Sequence, residues 1–138
     1  MVDKMNWTPT HLAWVGGLLE GEGCFGINRS RNLRIECKMT DEDVIRRLRE
    51  ITGFGSIRIN NKERKPSGSL GKIAYHWMGY GKDAYDLERA LFPILGIRRQ
   101  IRIEETWKIR KEYELATTGN YIRRIFTDPS CQLLPDPA

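Results

Sequence analysis

Soft metal ligands are scarce in this chain of 138 residues: three cysteines, Cys24, Cys37 and Cys131, and two histidines, His11 and His76. The cysteines are odd in number and no two form a C-x-x-C pair, so neither a disulfide framework nor a structural zinc site is expected. All three read as reduced thiols. The histidines are isolated, one in a predicted helical turn and one on a predicted strand, which excludes a compact histidine-based catalytic motif. No G-x-x-x-x-G-K-[ST] segment occurs, so no phosphate loop is present. Long apolar runs are missing too. The stretch from Leu12 to Leu19 is broken by Gly16 and Gly17 and stopped by Glu20, well short of the about 20 residues that span a bilayer. No membrane partner is expected. Met1 to Trp7 lacks the basic start and apolar middle of a signal peptide, which places the protein in the cytoplasm, or in an organelle matrix if an organelle encodes it.

Positive charge is in excess. The 23 Lys and Arg against 18 Asp and Glu give +5 and a pI of about 9.3, which favours a polyanion as partner. With 40% hydrophobic residues the chain can bury the core of one domain. The expected division is a domain over 1–119 and a loosely ordered tail over 120–138, where Pro129, Pro135 and Pro137 fall.

Thr8-Pro9 reads as a helix start, and Leu12, Val15 and Leu19 follow at helical spacing. Cys24 to Ser30 and Leu33 to Met39 alternate about Arg31-Asn32 as a hairpin. A helix runs from Thr40-Asp41-Glu42-Asp43 through Val44, Ile45, Leu48 and Ile51 to Gly53. Ser56 to Asn60 and Lys72 to Met78 form a second hairpin about a polar loop, and helices are expected over Lys82 to Leu91 and from Arg98 to about Ala116. This order predicts an α+β fold: an antiparallel sheet with helices packed on one face.

The other sheet face then collects Asn28, Ser30, Arg34, Glu36, Lys38, Ser56, Arg58, Asn60, Lys72 and His76. A solvated face accounts for such a pattern, but the excess of long hydrogen-bonding side chains matches what reads base edges in a major groove. Lys62, with Arg64 and Lys65 in the second hairpin loop, would add phosphate contacts.

The first predicted helix ends Gly16-Gly17-Leu18-Leu19-Glu20-Gly21-Glu22-Gly23. Two carboxylates at the negative end of a helix dipole cost stability unless a cation lies nearby. Ala13, Gly16, Gly17 and Glu20 form a narrow stripe on which a second helix can pack closely. If that helix belongs to a second copy, a two-fold axis brings both copies of Glu22 together. Paired carboxylates and backbone carbonyls suit a hard cation such as Mg²⁺, and phosphodiester hydrolysis needs one.

Val15 to Gly23, continuing into Cys24-Phe25, resembles the defining motif of the LAGLIDADG homing endonucleases. The resemblance extends in layout to about Ala116 and implies an αββαββα domain with a saddle-shaped sheet. It places the metal-binding catalytic acid on Glu22 and the carbonyl sharing the metal on Gly21, with Glu20 structural. Asp41 and Arg98 match polar residues around the scissile phosphates, with Arg99 and Gln100 as register alternatives to Arg98. A single motif copy implies a homodimer that makes a Mg²⁺-dependent double-strand cut in a near-palindromic DNA duplex. The alternative is a non-cleaving binding protein on the same fold, such as a maturase acting on intron RNA.

Overall fold

The computed structural model describes residues 6–60 and 72–127. The expected order is there as elements: helix α1 (Pro9–Glu22), strands β1 (Gly23–Ile27) and β2 (Leu33–Met39), helix α2 (Glu42–Thr52), strands β3 (Ser56–Asn60) and β4 (Ala74–Tyr80), helices α3 (Gly81–Leu91) and α4 (Ile97–Thr127). A 3₁₀ turn over Phe92–Ile94 joins α3 to α4.

Local chemistry sets the boundaries. Thr8 caps α1 by accepting from the His11 amide, and His11 Nδ1 accepts in return from the Thr8 amide. This reciprocal cap gives His11 a structural role. Gly53 closes α2 in the left-handed conformation, φ 77°, where a side chain would be strained. At Gly23 the helix turns directly into a strand, and a Cβ there would fall 2.6 Å from Leu19 O, so only glycine permits the turn.

The four strands form one antiparallel sheet in the order β1-β2-β4-β3. Alternation sends Phe25, Leu33, Ile35, Cys37 and Trp77 into a core shared with Val15 and Leu19 of α1, Ile45 and Leu48 of α2, Leu87 of α3 and Ile103 of α4. Trp77 anchors it from the centre of the sheet, with its indole N–H donating to Phe54 O and its ring tilted against Phe54. The α+β fold with helices on one face of the sheet is thus as expected.

Several boundaries differ. β1 ends at Ile27, not Ser30, because Asn28 Oδ1 accepts from the Asn32 amide and from Ser30 Oγ and folds 28–31 into a turn. Arg31 there has φ 64°. β4 begins at Ala74, so Lys72 precedes it. α4 continues as helix to Thr127, well beyond the expected end near Ala116 and into the segment expected to be a loose tail. Arg102 and Arg110 fix this helix to the sheet edge by donating to Phe25 O and Arg31 O. Among the described residues no helix is long and apolar enough to cross a membrane.

Candidate functional site

The sheet register assembles the polar face. Cys24, Glu36, Met78 and Ser56 lie in one row across the four strands, with Lys38, His76 and Arg58 in the next row. Gly26, Arg34 and Tyr80 form a third row, and Asn60 pairs with Ala74 at the far end. Seven residues expected there are therefore on one surface: Arg34, Glu36, Lys38, Ser56, Arg58, Asn60 and His76. Asn28 and Ser30 are not, since both belong to the β1–β2 turn. Lys72 is exposed just before β4. Lys62, Arg64 and Lys65 lie outside the described residues.

Glu36 organises the middle of this face. Its carboxylate stands 3.1 Å from Arg34 Nε and 3.1 Å from His76 Nε2, with all three side chains partly exposed. The acid is thereby neutralised within the face, and Lys38 and Arg58, both exposed, carry its outward positive charge. Over Gly26 the missing Cβ leaves room for two guanidinium groups: its place lies 3.3 Å from Arg34 Nη2 and 3.9 Å from Arg102 Nη2. Arg102 reaches this row from α4 around the edge of β1, and Tyr80 adds an exposed phenol. Neither was among the residues singled out from sequence. Tyr80 was legible, because the alternation His76, Met78, Tyr80 continues through Gly79; Arg102 sits in a helical pattern that gives no hint of the sheet.

At the end of α1 the two acids part company. Glu20 is tied down within the chain: its carboxylate accepts from the Gly96 amide, and Arg99 donates to Glu20 O at 3.1 and 3.3 Å and lies 3.6 Å from its carboxylate. Glu22 is exposed, at the last helical position, in a final turn without a basic residue. Burial, and then the Glu22 charge, push the Cys37 thiol up to about 11, so that cysteine stays protonated and is no soft ligand. Asp41 lies two residues beyond β2, at the same end of the sheet as Glu22. It is exposed and caps α2 without a side-chain hydrogen bond.

At two places the structure separates residues that spacing groups together. The basic residue held at the motif is Arg99, whose side chain is 16% exposed, while Arg98 is exposed and Gln100 donates to Phe92 O at 2.7 Å. One residue of register along α4 turns the side chain by about 100°, which spacing alone does not resolve. The small-residue stripe also divides. Gly16 is buried, and a Cβ on it would fall 2.7 Å from Ile94 Cδ1, so it accommodates the chain's own 3₁₀ turn. Glu20 is occupied by Gly96 and Arg99. Ala13, Gly17 and Gly21, four residues apart, are exposed, and a Cβ on Gly17 or Gly21 would meet nothing within 4 Å. The open line on α1 is therefore Ala13-Gly17-Gly21.

For a hard cation the donors at this corner are the Glu22 carboxylate and the carbonyls of the last turn of α1, among them Gly21 O, whose partners further along the helix are missing by construction. Oxygen donors alone fit Mg²⁺, which binds through one or two carboxylates and takes remaining ligands from water and phosphate. The described residues hold no group of three or more His, Cys, Asp or Glu side chains suited to a metal. Comparison with known proteins returned no matching family model and no matching curated protein.

Proposed function

We propose that the chain is a site-specific DNA endonuclease of the LAGLIDADG homing type, which acts as a homodimer and makes a Mg²⁺-dependent double-strand cut in a near-palindromic duplex. One observation carries this reading: Glu22 is exposed where the open small-residue line of α1 ends and the polar sheet face begins. An exposed acid, an open small-residue helix face and a polar sheet face meet at one corner.

The partner is a second copy. Packing Ala13, Gly17 and Gly21 against the same line across a two-fold axis lets the backbones approach closely and sets the two Glu22 side chains side by side. Ile94, Ile97 and Ile101 support this placement. They are 56%, 75% and 54% exposed, Ile94 abuts Gly16, and Ile97 follows the glycine that holds Glu20, so the apolar area extends beyond α1 itself. In the dimer two polar faces lie along one duplex, where Lys38 and Arg58 contact bases or phosphates while Arg34, fixed by Glu36, presents a constrained guanidinium.

At the seam Glu22 and the Gly21 carbonyl would hold the metal, and Arg99 offsets the negative helix end through Glu20. Bound there, Mg²⁺ supplies charge to the phosphoryl oxygens and a water that ionises more readily. The test is incubation of the full chain with a randomised duplex library and Mg²⁺, with Glu22→Gln in parallel at the same salt. Double-strand breaks at one near-palindromic site, lost in the variant, uphold the reading. Sequence-selective retention of DNA or folded RNA by both proteins, without cutting, replaces it with a binding role.

A further inference from the structure

A cleft lies on the helix side of the sheet, between the first turn of α3, the β1–β2 turn and the middle of α4. Its volume is about 530 Å³, within the range of small-ligand sites. One wall is Trp107 with Tyr85 beside it. Trp107 is held from three directions: Phe92 stacks on it with ring centroids 5.5 Å apart, Tyr85 tilts against it at 5.5 Å, and its Nε1 donates to Glu88 Oε1 at 3.0 Å.

Glu88 is the unexpected partner. It is fully buried, and its Oε2 has no hydrogen-bond partner. Burial of a carboxyl with one oxygen unsatisfied is costly, and a phenylalanine in place of the indole would remove any need for it. What the acid achieves is a fixed plane for Trp107.

Three cations and one acid complete the cleft. Arg110 is immobilised by donating to Arg31 O, Asn32 Oδ1 and Glu114 Oε1 at 3.0, 3.1 and 2.8 Å. Lys111 is exposed, and Lys82, 83% exposed, bonds Asp86 at 3.2 Å. Glu114 is matched by Arg110 and Asp86 by Lys82, so it is Lys111 that leaves the mouth positive. A rigid aromatic platform with a cationic rim is the complement of a planar base carrying a phosphate.

We propose that this cleft binds a nucleotide unit, with its base against Trp107 and Tyr85 and its phosphate at Lys82 and Lys111. The site does not depend on the sheet-face reading. The unit has two sources, a free nucleotide or an unpaired nucleotide within a strand.

The test titrates the full chain with adenosine 5′-monophosphate, adenosine, inorganic phosphate and a single-stranded twelve-nucleotide oligoadenylate, following tryptophan fluorescence at low salt. The monophosphate is expected to saturate, with adenosine and phosphate each about tenfold weaker or worse. Trp107→Leu should weaken it by about tenfold or more through lost stacking. The double change Lys82→Gln with Lys111→Gln, on exposed side chains that leave the core intact, should do the same, while Arg46→Gln, on α2 and outside the cleft, should not. Tighter binding of the oligonucleotide in competition with the monophosphate identifies the source as a strand; equal binding identifies the free nucleotide. The proposal is overturned if neither saturates, if inorganic phosphate matches the monophosphate, or if the double lysine variant binds unchanged.

Discussion

Glu22 and Glu88 are the same side chain placed at two opposite extremes of one small domain. Glu22 ends α1 in solvent, at the negative pole of a helix dipole and without a basic residue in its turn; Glu88 is sealed between α3 and α4 against an indole. The first is open to an external cation. The second is pushed up to about 8 by burial, against the smaller opposing effect of the Trp107 hydrogen bond. Environment alone separates a group suited to chemistry from one that holds packing in place.

The comparison breaks first at Glu22→Gln. The amide keeps the shape and removes the charge, so cleavage should fall to background. Because the site is exposed, stability should move by less than about 0.5 kcal/mol. A melting curve beside the cleavage assay checks both halves. A loss of stability of several kcal/mol would mean that Glu22 is structural after all.

Glu88→Gln should do the reverse, changing stability strongly. With the folded-state value near 8 and the ordinary one at 4.5, the folded chain retains a proton that the unfolded chain has released. Stability therefore falls as pH rises from about 4.5 to 8 and levels off above, a penalty of roughly 3 kcal/mol by pH 7. The glutamine variant keeps an acceptor for Trp107, should unfold at higher denaturant at pH 8, and should lose that slope. Denaturant midpoints at pH 5 and pH 8 for both proteins decide it; an unchanged slope would assign the pH dependence to other groups.

These two acids also mark how far sequence carries. The position of Glu22 was legible because a glycine-punctuated helix end is a local pattern, and the polar face followed from period-two alternation in β2 and β3. Glu88 was not, because on α3 it reads as one more charge beside Arg89, and the approach of α4, nineteen residues later at Trp107, closes over it. The burial of Gly16, which spacing groups with an outer seam, was hidden for the same reason. Its contact, Ile94, lies across the chain in a 3₁₀ turn that no spacing rule anticipates.

On the sheet, Arg58 and Arg34 offer a finer contrast, since one guanidinium is exposed and the other is fixed by Glu36. Arg58→Ala should cost ~1–3 kcal/mol at one base position per half-site if it reads a base edge. Binding to a panel of single-position variants of the target is the measurement. A loss uniform across the panel would make Arg58 a phosphate contact.

The smallest effect belongs to α1, where Gly16 and Gly17 are neighbours with opposite surroundings. A methyl at Gly16 meets Ile94, whereas one at Gly17 meets nothing within the chain. Gly17→Ala should therefore stabilise the monomer by ~0.5–1 kcal/mol through helix propensity alone. The same methyl would hold two copies of α1 apart if the Ala13-Gly17-Gly21 line is their seam. Thermal unfolding at low concentration should then rise while sedimentation shows weaker self-association, two readouts moving in opposite directions. A variant more stable at every concentration, and no less dimeric, would move the seam off this line and onto the exposed isoleucines of the 3₁₀ turn and α4.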